Sequence, residues 1–447
     1  MFAKLRSRLT GTQWIAVGFL VIILCGTFLL MLPVSAREGK GTDFLSAMFT
    51  AASATCVTGL VVVDTYQHWS LFGQLVILLM IQTGGLGFVT IGVSIFLMMG
   101  KKIGLADRGL LKDSVNALQI GGIVRLARLI LKGTILAEGL GAVLFSIRFI
   151  PEFGLLEGIY YSIFHSISAF CNAGFDLMGR FEAYSSLSRY AQDYLVSLTA
   201  AGLVLFGGLG FVVWKDISVN RLNIHRYSLH TKMVLTALLV LVAVPTVLFL
   251  FLESDGVLKE LDGPGKCLAA FFAAVTPRTA GFNTTDVGGL SEAGKLLTLI
   301  LMLIGGNPGS TAGGVKTTTI MVLLLYIVSM IRHTDGVNVY GRRLEDKLIE
   351  KAAVVFTLTL SMAVAGSFLI CAVDHLPLTD VFLETFSAVD TVGMSTGITR
   401  DLSTVSRVVI ILLMYCGRIG SLSFALTFTD KRRQSSLRQP VERINIG

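Results

Sequence analysis

The sequence predicts an all-α integral membrane protein with eight transmembrane helices, organised as four repeated units of span, short helix and span. Three observations carry that reading. First, the 447 residues are 53% apolar and only 15% charged, against about 25% charged in an average soluble domain. Such a chain cannot clothe a large core in a charged surface, and its mean hydropathy of +0.74 agrees. Second, eight apolar runs are long enough to cross a bilayer as helices. Third, glycine-bearing segments recur four times in register. A water-soluble enzyme, a disordered chain and a nucleic-acid binder are therefore poor readings.

The first run, 13–32, follows Lys4, Arg6 and Arg8 and precedes Val34-Ser35-Ala36, which resembles a signal-peptidase site. A secretory apolar core is about 7–15 residues long; this run is longer and reads as an uncleaved first span. The other runs lie at 70–99, 123–150, 194–214, 230–252, 294–331, 352–373 and 405–428. Between the members of each pair sits a moderately apolar segment too short to span, at 44–53, 156–169, 265–275 and 378–388. The units so defined are 13–100, 122–215, 229–332 and 349–429, with a cytoplasmic tail over 430–447. Segments 101–128, 215–232 and 332–351, together with the two ends of the chain, carry 23 of the 37 Lys and Arg residues. The positive-inside rule places them, and both termini, in the cytoplasm. The net charge of +8 is thus mostly a topology signal. Six scattered cysteines (Cys25, Cys56, Cys171, Cys267, Cys371 and Cys416) lack metal-ligand spacing and read as small buried hydrophobes.

Each short segment runs into a glycine followed by a large apolar residue. The stretches are A-T-C-V-T-G-L ending at Leu60, A-F-C-N-A-G-F at Phe175, T-P-R-T-A-G-F at Phe282 and V-D-T-V-G-M at Met394. Their glycines, Gly59, Gly174, Gly281 and Gly393, are spaced by 115, 107 and 112 residues. Non-helical backbone at membrane depth survives only beside protein or a watery cavity. A re-entrant helix aims its partially negative C-terminus into the membrane, and glycine lets the following carbonyls turn the same way. Four such segments about one axis make a carbonyl ring that replaces the water shell of a cation. Thr391-Val392-Gly393 is also close to the T-V-G of potassium-channel filters. The candidate ion-binding residues are Thr55-Cys56-Val57-Thr58-Gly59, Phe170-Cys171-Asn172-Ala173-Gly174, Pro277-Arg278-Thr279-Ala280-Gly281 and Asp390-Thr391-Val392-Gly393. A second glycine cluster in each unit, at Gly84-Gly85, Gly207-Gly208, Gly305-Gly306 and Gly417 with Gly420, reads as close helix packing.

With these motifs the chain resembles the Trk/Ktr/HKT superfamily of potassium transporters over about 13–428. Four filter glycines in register, T-P-R-T-A-G-F-N in the third unit and a Gly/Ser/Thr-rich break in its second span carry the resemblance. It implies four M1–pore-loop–M2 units around a central pore, as in potassium channels. The lack of an extra N-terminal hairpin points to a membrane pore subunit of the Ktr type. Potassium is then the transported ion, held at the filter residues. The resemblance further implies a homodimer in the bacterial plasma membrane, whose cytoplasmic face docks a ring of soluble RCK regulatory subunits. Nucleotide, ATP or ADP, is expected only on that partner. Glycine at all four filter positions resembles the potassium-preferring members.

From Glu292 to Arg332 is 41 residues, about twice a spanning helix. Its middle, Gly305-Gly306-Asn307-Pro308-Gly309-Ser310-Thr311-Ala312-Gly313-Gly314-Val315-Lys316, holds one Pro and five Gly and cannot sustain a helix. The span is expected to break there, and the resemblance makes this an intramembrane gating loop. A phosphate-binding loop is rejected because Val315 separates Gly314 from Lys316 and no soluble strand precedes it. Three bases, Arg278, Lys316 and Arg418, fall at membrane depth, where charges take functional or bracing roles. Lys316 and Arg418 follow the family's pattern of bases near the gate. Arg278 and Asp390 share one offset before their glycines, which predicts an ion pair behind the third and fourth filter segments. The family often lacks an acid at the Asp390 position. His165 reads as a hydrogen-bonded packing residue. The rival transport reading is a secondary cation cotransporter with alternating access. A membrane hydrolase lacks support: no H-E-x-x-H or paired intramembrane Asp occurs.

Overall fold

The computed structural model describes residues 10–99, 104–114, 121–221 and 223–421. The N-terminal bases Lys4, Arg6 and Arg8, the tail over 430–447 and the end of the last apolar run lie outside the described residues. In the first unit Thr10 and Gln13 cap each other's backbone N–H groups and start α1 (Gly11–Leu30). Asp43 caps α2 (Phe44–Cys56) by accepting the Ser46 N–H at 2.9 Å. A single turn, α3 (Thr65–His68), precedes α4 (Leu71–Leu86), and α5 (Phe88–Met98) and α6 (Leu105–Ser114) follow. The second unit comprises α7 (Ile123–Phe153), α8 (Leu155–Phe170), α9 (Tyr194–Gly208) and α10 (Phe211–Asn220). The third comprises α11 (Leu229–Glu253), α12 (Gly263–Val275), α13 (Glu292–Leu303) and α14 (Thr317–Ile331). A small antiparallel hairpin, β1 (Asn338–Val339) with β2 (Arg342–Arg343), leads to α15 (Asp346–Asp374), α16 (Leu378–Val389) and α17 (Thr404–Ile419).

Helices α1, α7, α11 and α15 are each long and apolar enough to cross a membrane, and the pair α9–α10, bent by 94°, makes a fifth such stretch. Their outer faces expose Phe28, Leu136, Phe251 and Phe368, a surface suited to hydrocarbon rather than water. The sequence predicts an interruption only in the third unit's second span. Instead every unit's second helix breaks. In units one, two and four it breaks at Gly87, Gly210 and Gly420, with φ of +77°, +98° and +93°, which a right-handed helix cannot pass through. In the third unit the whole of 304–316 is non-helical.

Packing follows one rule. Each long helix lies on its own short helix: α1 on α2, α7 on α8, α11 on α12 and α15 on α16. Each second helix lies on the short helix of the next unit: α4 on α8, α9 on α12, α13 on α16, and α17 back on α2. The units therefore close into a circle, with the short helices largely buried.

Candidate ion pathway

The short helices hand over to extended backbone in the same way four times. The residue two before each repeat glycine is left-handed although not glycine: Val57, Asn172, Thr279 and Thr391, with φ between +52° and +64°. The glycines Gly59, Gly174, Gly281 and Gly393 are left-handed too. Alternating handedness turns successive carbonyls to one side, and it costs about 1–3 kcal/mol at each non-glycine residue. The helix above fixes this backbone. Thr58, Ala173, Ala280 and Val392 donate their N–H groups to the carbonyls of Ser53, Ser168, Thr276 and Ser387 at 2.8–3.0 Å. The Ser53 and Ser387 hydroxyls also accept the N–H groups of Gly59 and Gly393, at 3.1 and 2.9 Å.

The four glycines meet. A Cβ added to Gly59 would stand 2.7 Å from the Ala173 carbonyl oxygen, one on Gly174 2.9 Å from that of Ala280, and one on Gly281 2.7 Å from that of Val392. A Cβ on Gly393 would collide with the Thr58 carbonyl, closing the circle. The backbone of each unit thus touches the carbonyl that precedes the next unit's glycine, and no side chain fits between them.

The second glycines explain how the helices come so close. A Cβ on Gly84, Gly207 or Gly417 would collide with the carbonyl of Thr55, Phe170 or Val389 at the end of a short helix. Gly305 instead faces Val315 and Gly313 of its own loop. That loop, 305–316, is held from several units. Asn307 donates its N–H and its side-chain amide to the Gly208 carbonyl (3.2 and 2.9 Å), and the Phe211 N–H donates to the Gly309 carbonyl (2.7 Å). The Thr311 hydroxyl donates to the Phe170 carbonyl at 3.2 Å. Lys316 donates to its own loop carbonyls, Ala312 at 2.8 Å and Gly313 at 3.0 Å. Arg418 donates to the Thr311 carbonyl at 2.6 Å and to the Gly84 and Gly85 carbonyls. One guanidinium in the fourth unit therefore joins the loop of the third to the first.

The predicted Arg278–Asp390 pair does not form. Among the described residues Asp390 accepts the Val315 N–H at 2.9 Å through Oδ1, while Arg278, 4% exposed, leaves Nη1 without a partner. Equal register puts the two on neighbouring segments, but Asp390 turns toward the loop, where Gly314 leaves room beside its carboxylate. Among the described residues, further oxygens without hydrogen-bond partners lie at the ring and loop: Thr55 Oγ1, Thr58 Oγ1, Thr391 Oγ1 and Asn307 Oδ1. Pro277, the first residue of the third segment, is buried. His165 lies within α8, its Nδ1 2.8 Å from the Tyr161 carbonyl and its Nε2 accepting the Leu177 N–H at 3.3 Å.

Sequence reasoning missed two carboxyls. Glu384 in α16, nine residues before Gly393 as His165 is before Gly174, accepts the Ser395 and Thr399 hydroxyls and so holds the segment beyond the ring. Glu138 lies mid-way along α7. Its position in the middle of an apolar run was the available signal.

Residues 5–439 match the model of the TrkH cation transport protein family. The chain belongs to this family. It is 40% identical to the potassium/sodium uptake protein NtpJ of Enterococcus hirae, over 100% of this chain and 99% of that protein. It is 41% identical to the Ktr system potassium uptake protein B of Bacillus subtilis, over 98% and 97%. Ktr system potassium uptake protein D of the same organism is 31% identical over 100% of this chain. Among solved structures, the potassium transporter TrkH of Vibrio parahaemolyticus superposes with a TM-score of 0.70 at 20% identity, covering 93% of this chain and 85% of that one. It shares the fold.

Proposed function

We propose that the chain takes up potassium across a bacterial plasma membrane through a pore framed by its four units. Carbonyls of 55–59, 170–174, 277–281 and 390–393 form the selectivity filter, and the loop 305–316 is the gate. The single observation that carries this reading is the closed circle in which each glycine abuts the carbonyl before the next. Such a backbone ring suits a dehydrated cation. Relatives named for potassium uptake support the choice of ion. Four long helices and four interrupted second helices then give eight crossings, which leave both termini in the cytoplasm. The membrane potential drives entry with about 2.3 kcal/mol per charge per 100 mV. Arg418 and Lys316 beneath the filter raise the barrier to a cation until the loop moves. The Ktr-system names of two relatives support a multi-subunit assembly. In our reading it is a homodimer whose cytoplasmic face docks a ring of soluble subunits carrying the nucleotide.

The test is potassium uptake in a transport-deficient bacterial strain, comparing wild type with Gly59→Ser. The added side chain meets the Ala173 carbonyl, so preference for potassium over sodium should fall. Undiminished selectivity refutes the filter assignment.

A further inference from the structure

A carboxyl in the middle of a spanning helix is costly unless it does something. Glu138 is such a group, in the 31-residue α7 with Ile135, Leu136 and Leu140 exposed around it. Among the described residues it forms no ion pair. Its Oε2 accepts the side-chain amide of Gln82 at 3.3 Å, and its Oε1 has no partner. Gln82 belongs to α4 of the first unit, and its amide oxygen in turn lies 3.5 Å from the Cys171 thiol, which donates to it. Cys171 caps α8 and stands three residues before Gly174. Gly85 presses on it from one side, since a Cβ there would come within 2.7 Å of the sulfur. The Ser166 hydroxyl of α8 also donates to the Glu138 carbonyl at 2.6 Å, joining α8 to α7 at the same residue. The root of the second filter segment is thus tied across the seam between units one and two by one polar chain. At the same offset Arg278 has an unpartnered Nη1, and Asp390 is engaged with the loop.

We propose that Glu138 is a positioning residue for ion selection: through Gln82 it fixes Cys171 and with it the second filter segment. This rests on the filter reading above. Removing the carboxyl leaves the Gln82 amide unsatisfied, lets Cys171 shift, and loosens one quarter of the ring without closing the pathway.

The test measures rubidium and sodium uptake into proteoliposomes by the full-length chain, with protein amount and thermal stability recorded alongside. Glu138→Leu and Gln82→Leu should each lower the rubidium-to-sodium ratio about five-fold, the scale of one lost hydrogen bond. The double variant should be no worse than either. Glu138→Gln, which retains an acceptor for Gln82, should stay within about two-fold of wild type. A wild-type ratio in Glu138→Leu overturns the proposal, as do effects that multiply in the double variant. A Gln variant as poor as the Leu variant overturns it too, because charge rather than the chain would then be responsible. If Glu138→Leu does not fold, Gln82→Leu decides: its ratio should fall about five-fold, and a wild-type ratio there sinks the proposal. Gly174→Ser serves as the control. An unchanged ratio there refutes the filter itself, whereas a changed ratio there beside an unchanged one in Glu138→Leu refutes only the role of Glu138.

Discussion

At the glycine ring the four units contribute the same thing: a left-handed residue, a carbonyl and a glycine against its neighbour's backbone. Three residues before each glycine they contribute two thiols, a guanidinium and a carboxylate, in Cys56, Cys171, Arg278 and Asp390. Below that, one loop and one arginine cross between units, with no counterpart among the described residues of the other units. If the ring is the filter and the loop the gate, as proposed above, the contrast follows from what each layer has to do. A ring that replaces a hydration shell needs like oxygens on all sides. A gate needs two states, and one unlike element that swings achieves this without disturbing the ring.

The largest effect that tests this contrast is expected at Arg418. Its guanidinium spans the carbonyls of Thr311 and of Gly84 and Gly85, and hydrogen bonds from a charged donor contribute about 1.5–3 kcal/mol each. Arg418→Gln should free the loop and raise rubidium flux into proteoliposomes, without any soluble subunit, by about ten-fold or more. Arg418→Lys should not restore control, because an ammonium cannot fork between two sets of carbonyls. Selectivity should be unchanged in both. If flux stays at the wild-type level in Arg418→Gln, the unique layer is bracing and not control.

The same contrast decides what was legible in the sequence. The ring was visible because a backbone that must adopt positive φ at one offset asks for glycine there in every copy. The helix breaks at Gly87, Gly210 and Gly420 were not. A lone glycine costs a helix only about 1 kcal/mol and is usually tolerated, so only the packing of the folded chain shows that these three adopt positive φ. The missed Arg278–Asp390 geometry has a different cause. Register says which segments are neighbours but not which way a side chain turns. Asp390 found the Val315 N–H, 75 residues away in sequence, and no local pattern announces that contact. Glu138 belongs to neither class. A carboxyl centred in an apolar run was plain to see, and only its partner Gln82 required the structure.

A middling effect is expected at Asp390. Asp390→Ala leaves the buried Val315 N–H without its acceptor, which costs about 1–3 kcal/mol. The loop should loosen, with a lower melting temperature of the detergent-solubilised protein and a raised basal rubidium flux. Asp390→Asn retains an oxygen for Val315 and should lie much closer to wild type in both. Arg278→Gln should leave the loop flux unaltered, since no bond joins it to Asp390. Matching behaviour of Asp390→Ala and Arg278→Gln would instead revive the pair that the geometry denies.

The smallest effect is at the hydroxyls above the ring, where the comparison can be sharpened most. Ser53 and Ser387 hold the N–H groups of Gly59 and Gly393 from the same register. In the third unit Val275 stands at that offset, and the Thr276 hydroxyl donates to the Phe282 carbonyl instead. Removing one such acceptor by Ser→Ala should cost about 0.5–1.5 kcal/mol. That predicts a small drop in potassium-over-sodium preference, equal for Ser53→Ala and Ser387→Ala within measurement error. Equality would mean that the first and fourth units load the ring alike even though the residues beneath them differ in charge. A loss confined to Ser387→Ala would show that the asymmetry of the loop layer reaches up through Asp390 into the ring, and that selection and gating share a mechanical part.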